Sequence, residues 1–151
     1  MDFDVIIIGA GAAGLMCAIE AGRRGRKVVL LDHAKKIGEK IRISGGGRCN
    51  FTNRQVSKEN FISSNPSFCI SILKKYTPQD FIEKISSHGI QWHEKTLGQL
   101  FCNGSSKEII EMLRGELTKA NVTLILESKI LEVKLVNGKY NVNTSKSKMT
   151  S

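Results

Sequence analysis

The chain opens on four β-branched residues, Val5, Ile6, Ile7 and Ile8, set between Asp4 and Gly9. An unbroken apolar run this short predicts a strand buried on both faces, as in a parallel sheet. Small and apolar positions then repeat with helical spacing from about Ala12 to Arg24, and Gly25 predicts the stop. Residues 27–31, Lys-Val-Val-Leu-Leu, supply a second strand. Two parallel strands joined by a helix make a βαβ crossover. From 34 to 65 polar and glycine positions follow one another without a sustained period, which predicts an ordered loop with short elements.

Three helices beyond that loop announce themselves by their starts. Asn65-Pro66 places a cap and a proline at the first helical position ahead of Phe68, Cys69, Ile72, Leu73 and Tyr76. Thr77-Pro78-Gln79-Asp80 predicts a capping box, with Gly89 ending that helix. Ser105 and Glu108 repeat the device before Ile109, Leu113 and Leu117, which share one face. Residues 91–93 and 100–102 read as short strands around Gly98, with Trp92 and Phe101 as hairpin core, and 122–126 as a further strand. Residues 130–136 and 139–142 flank Asn137-Gly138, the pattern of a tight hairpin. The fold class is therefore α/β, a Rossmann-like domain over 1–143 with a parallel sheet, extra helices and a C-terminal β-hairpin. The polar residues 144–151 are predicted to fray.

Composition changes this picture little. With 151 residues and 40% of them apolar, the chain is long enough for one core and too rich in apolar runs to be disordered. No stretch is long and uninterrupted enough to span a bilayer, and acidic residues precede the first apolar run, against a secretory signal. Cys17, Cys49, Cys69 and Cys102 lie far apart without a CxxC, so neither a metal site nor a disulfide framework is expected, and a reduced, cytoplasmic chain is. The formal charge of +9 raises nucleic-acid binding as a possibility. Its lysines and arginines are dispersed, however, with no binding motif and little aromatic interleaving, so no nucleic-acid or membrane partner is expected.

Candidate chemistry begins at Gly9-Ala10-Gly11-Ala12-Ala13-Gly14, a GxGxxG between a strand and a helix, with Asp32 at the end of the next strand. In that context Gly9 permits the tight turn, Gly11 lets the backbone approach a pyrophosphate, and Gly14 lets the helix lie against the strands. The open helix N-terminus favours the pyrophosphate, and Asp32 is placed to accept hydrogen bonds from an adenosine ribose. FAD and NAD share that half, so the motif leaves the choice between them open. A second feature is Ser44-Gly45-Gly46-Gly47-Arg48-Cys49-Asn50-Phe51-Thr52-Asn53. Three adjacent glycines supply no side chain to pack, and they suit a backbone pressed against a flat or anionic ligand. Arg48 can pair with a phosphate or a flavin carbonyl, and Asn50 can donate and accept. Cys49 reads as a small packing residue, and His33, His88 and His93 are too scattered for a triad, so no catalytic residue is assigned.

These segments, together with Gly98-Gln99-Leu100-Phe101 before a capped helix, resemble the bacterial BaiN-like flavoproteins, also described as aminoacetone-oxidase-like or NAD(P)/FAD-dependent oxidoreductases. The resemblance covers nearly the whole chain. It implies FAD as cofactor, NAD(P)H as electron donor and a small organic substrate. The cofactor-binding set it implies is Gly9, Gly11, Ala13, Gly14, Asp32, Lys40, Ser44, Gly45, Gly46, Arg48, Cys49 and Asn50, with the backbone at Ile130 reading the adenine edge. Cys102 stands where that family usually has Pro, and the family's chains are much longer. The expectation is thus the first part of a truncated enzyme, inactive and weak in FAD binding without a chain that carries the remainder.

Overall fold

The computed structural model describes all 151 residues and divides them into two compact units, Met1–Ile41 with Ile110–Ser151, and Arg42–Ile109. The sequence pattern reads as a single domain because nothing in it marks the places where the second unit enters and leaves.

In the first unit, Val5–Ile8 (β1), Ala12–Arg23 (α1) and Val28–Leu31 (β2) form the expected βαβ crossover, with β1 and β2 parallel and Val5 opposite Val28. Thr123–Ile125 (β6) lies parallel on the far side of β2, giving the order β1-β2-β6. All four β2 residues are buried because β2 is central. The buried-on-both-faces reading holds for β2 and not for β1. β1 has a neighbour on one side only, its residues are half-buried, and Ile8 is 53% exposed. Leu15, Ala18 and Ile19 of α1 are buried. Ser106–Lys119 (α5) buries Ile109, Ile110, Leu113 and Leu117, and its buried Glu116 is paired with Arg23 and Lys119.

Ile130–Val136 (β7) and Lys139–Thr144 (β8) make the hairpin. Asn137 and Gly138 both take left-handed φ, +51° and +77°, as a type I′ turn requires. The tail does not fray. Lys148–Thr150 (β9) pairs antiparallel with β8, Met149 is 1% exposed, and Phe3 N–H donates to Thr150 O at 2.9 Å. A single methionine among polar neighbours is too short a pattern to announce a strand. That residue nevertheless completes a core cluster with Phe3, Val29, Leu31 and Val142.

The second unit is built on an antiparallel sheet of Asn50–Asn53 (β3), Gln99–Cys102 (β5) and Trp92–Glu94 (β4), in the order β3-β5-β4. Leu100, Phe101 and Cys102 are buried, and Phe51 packs edge-on to Phe81 and Trp92 at 6.1 and 6.5 Å between ring centres. Pro78–Ser87 (α4) has the predicted capping box: Thr77 N–H donates to Asp80 Oδ2 at 2.6 Å, and Asp80 N–H to Thr77 Oγ1 at 3.2 Å. The helix expected from Pro66 is confined to Ile70–Lys75 (α3). Asn65 spends its side chain on a local turn, accepting from Ser67 N–H at 3.1 Å, so the proline opens turns rather than a helix. Glu39–Ile43 (α2) is a short helix that straddles the boundary of the two units.

Candidate functional site

Only Gly9, Ala10 and Gly11 separate β1 from α1, and each bears its part of a sharp reversal. Gly9 sits at φ +104°, where side chains are strained, and its N–H donates to Leu31 O at 2.7 Å. A Cβ on Gly14 would lie 1.8 Å from Gly9 O and 3.5 Å from Ile7 Cγ2, so the helix rests directly on the turn. At Gly11, the helix N-cap, a Cβ would meet nothing within 4 Å. The ground before the helix is open, and the first N–H groups of α1, including that of the exposed Ala13, have no intrahelical acceptor.

Asp32 clamps this turn to the end of β2. Its Oδ2 accepts from Ala10 N–H at 2.6 Å and its Oδ1 from Ala34 N–H at 2.8 Å, with His33 Nδ1 3.3 Å from Oδ1. A carboxylate offers about four acceptor sites, so positions remain for a ribose. Beside it opens a cleft of about 400 Å³ lined by Ile8, Gly9, Asp32, Ser128, Lys129 and Ile130. Gly9, Asp32 and Ile130, far apart in sequence, therefore meet at one cleft. Gly38 N–H donates to Ala10 O at 2.8 Å, which ties the approach to α2, where Lys40 is exposed, to the same turn.

Ser128 was not legible in the sequence, since it belongs to no periodic run. Its backbone N–H donates to Asp32 O at 2.9 Å, and its buried Oγ has no partner. Apolar walls at Ile8 and Ile130, a carboxylate, an orphaned hydroxyl and an open helix N-terminus together suit an adenosine diphosphate.

In the second unit the glycine run winds as a tight turn, with Gly45, Gly46 and Gly47 at φ +57°, +64° and +85°. Packing explains the first of them, where the sequence pointed to a ligand for all three. A Cβ on Gly45 would lie 2.6 Å from the Phe101 ring and 2.8 Å from Asn50 N. At Gly46 and Gly47 the space is open, so these two keep the backbone bare. Ser44 O accepts from Cys49 N–H at 3.0 Å, and Arg48 O accepts from Cys102 N–H at 3.0 Å while Arg48 itself is exposed. Asn50 is a strut: with its amide turned to satisfy its neighbours, the nitrogen donates to Thr52 O at 3.1 Å and Leu100 O at 3.3 Å. His93 stacks on Phe101 and its Nδ1 lies 2.7 Å from Asn103 Oδ1.

Burial pushes the Cys49 thiol up, partly offset by a hydrogen bond with Ser44. Burial, with the neighbouring Cys49 and Glu108, pushes the Cys102 thiol from 9.0 up to about 12. Both stay protonated at neutral pH, which suits packing and not redox chemistry. A thiol whose folded pKa is raised contributes stability below its unfolded value and loses it as pH climbs through the folded one, here between 9.0 and about 12. Of the four cysteines only Cys17 is exposed. A thiol reagent at neutral pH is expected to titrate one cysteine in the native chain and all four after denaturation, and rapid native labelling of Cys49 or Cys102 would contradict this burial.

The family model described as "HI0933-like protein Rossmann domain" matches residues 3–151. The chain belongs to this family. Within it, 131 residues are 56% identical to the ribosomal RNA dihydrouridine synthase of Escherichia coli (strain K12), covering 87% of this chain and 33% of that protein. The 3-dehydro-bile acid delta(4,6)-reductase of Clostridium scindens is 30% identical over 133 residues, 85% of this chain and 32% of that protein. The chain thus spans about a third of the length of these curated relatives. Among solved structures, a 3-ketosteroid-delta4-(5alpha)-dehydrogenase from Rhodococcus jostii RHA1 shares the fold with a TM-score of 0.66 at 12% identity, over 99% of this chain and 43% of that one. The match is to the HI0933-like family and not specifically to the BaiN-like flavoproteins that the GxGxxG, residues 41–53 and Gly98-Gln99-Leu100-Phe101 resemble. No helix is long and apolar enough to cross a membrane.

Proposed function

We propose that the chain is the FAD-binding part of a reductase that saturates a carbon–carbon double bond conjugated to a carbonyl, with a uridine of ribosomal RNA as its substrate. The observation that carries the cofactor is the cleft in which Gly9, Asp32 and Ile130 meet beside the open N-terminus of α1. Here Asp32 holds the ribose hydroxyls, the cleft wall at Ile130 takes the adenine, and the bare backbone at Gly11 with the N–H groups at Ala13 and Gly14 takes the pyrophosphate. Lys40 supplies positive charge from α2. Ser44, Gly45, Gly46, Arg48, Cys49 and Asn50 keep their expected cofactor role as a proposal, with Gly46 and Arg48 exposed and Gly45, Cys49 and Asn50 shaping the turn of the second unit. When bound, the flavin supplies a hydride drawn from NAD(P)H, and a proton from solvent completes the saturation.

The names of the relatives support this chemistry. A dihydrouridine synthase and a bile acid delta(4,6)-reductase both describe by name the addition of hydrogen across carbon–carbon double bonds. RNA is preferred as substrate because the 56% identical relative acts on it by name and because +9 suits a polyanion. This departs from the sequence-based expectation of no nucleic-acid partner, which rested on dispersed lysines and arginines, the lack of a known motif and little aromatic interleaving. A small organic substrate, with no nucleic acid, is the second reading, favoured by the bile acid reductase. Turnover on either reading calls for the polypeptide that corresponds to the rest of the relatives, and the reading places the protein in the cytoplasm.

Titration of the purified chain with FAD, followed by flavin fluorescence and equilibrium dialysis, is expected to show saturable binding with NAD the weaker ligand. Uptake of NAD with none of FAD would overturn the cofactor assignment.

A further inference from the structure

One stretch of the second unit is left unexplained by cofactor binding. Every residue from 57 to 68 is exposed, and the sequence from Asn60 to Gln79 contains no Asp or Glu. Exposed aromatic rings lie within it. Phe61 and Phe68 meet edge to face, 6.3 Å between centres and 85° between planes, and Tyr76 is exposed at the end of α3. Lys74 and Lys75 fill the last turn of α3, and no carboxylate is paired with either. Lys58 stands at the other end of the stretch, 3.9 Å from Glu59.

Large rings held open to solvent are unfavourable unless something covers them. A cover recognised by stacking rings, the unpaired Lys74 and Lys75 and neutral Ser and Asn side chains, where the single acid, Glu59, lies beside Lys58, is single-stranded nucleic acid. We propose that residues 57–76 form a docking surface for single-stranded RNA, with Phe61 and Phe68 as stacking rings and Lys74 and Lys75 as phosphate contacts. The proposal rests on the ribosomal RNA reading above and adds where this chain touches that substrate. Ile62 and Ile72 are exposed in the same stretch, so a second copy of the chain is the rival occupant.

Fluorescence anisotropy of a labelled oligouridylate against the purified chain separates these. Stacking contributes about 1–3 kcal/mol per base, so Phe61→Ala and Phe68→Ala are each expected to weaken binding about tenfold without altering its dependence on salt. Lys74→Ala with Lys75→Ala is expected to lower the slope of log affinity against log salt by about 1.4. All four side chains are exposed, and circular dichroism confirms that the variants fold. Wild-type binding that these changes leave intact overturns the surface while the ribosomal RNA reading stands. No wild-type binding overturns it as well, and so does unchanged RNA affinity accompanied by loss of self-association in sedimentation. The substrate reading fails on a different measurement, unchanged dihydrouridine in ribosomal RNA from cells that lack the gene.

Discussion

Gly14→Val is expected to unfold the first unit, and Gly11→Ser to leave it as stable as before while removing FAD binding. At Gly14 the new Cβ would fall 1.8 Å from the backbone oxygen of Gly9, which no rotamer relieves. Overpacking alone costs about 1–3 kcal/mol, and a clash with backbone exceeds that in a protein whose total is about 5–15. At Gly11 the space is empty and φ is −81°, a conformation any residue adopts. Serine is also the better helix cap. On the proposed binding mode its side chain stands in the path of the pyrophosphate. Thermal melts with and without FAD read both halves. A stable Gly14→Val, or a Gly11→Ser that binds FAD as the native chain does, would show that the turn is not built this way.

Asp32→Ala is expected to lower stability by about 3 kcal/mol or more, because the backbone N–H groups of Ala10 and Ala34 each lose a charged acceptor worth about 1.5–3. For a chain of this size that is a fall in Tm of roughly 6–12 °C. FAD affinity is expected to drop about tenfold in addition, through loss of the proposed ribose contacts. Asp32→Asn keeps one oxygen acceptor and falls between. An unchanged melting temperature for the alanine variant would show that the two backbone donors find other partners.

The parts that were legible from sequence are those whose cause is local. The βαβ unit, the glycine turn, the Thr77 capping box and the Asn137-Gly138 hairpin each follow from residues a few positions apart. Asp32 was placed by its spacing, although its grip on Ala10 and Ala34 was not foreseen. Distance in sequence hid the rest. Nothing near β2 indicates that β6 will pair with it, nothing in Ser128 marks it as a wall of the cleft, and Gly45 owes its identity to Phe101. Pro66 misled because Asn65 serves a turn and a helix cap equally well.

The pairing of β2 with β6 also sets an order of events during synthesis. Leu31 meets Ile125 only after the whole of the second unit has been made, so β2 emerges from the ribosome long before its second neighbour. The unit formed by Arg42–Ile109 is contiguous in sequence and has been made in full before β6 appears. The first unit instead waits for its C-terminal stretch and closes a long loop late, the kind of contact that slows folding most. Until then four fully apolar residues of β2 stand without a partner on one side, which makes the nascent chain the stage most exposed to aggregation and to chaperone capture.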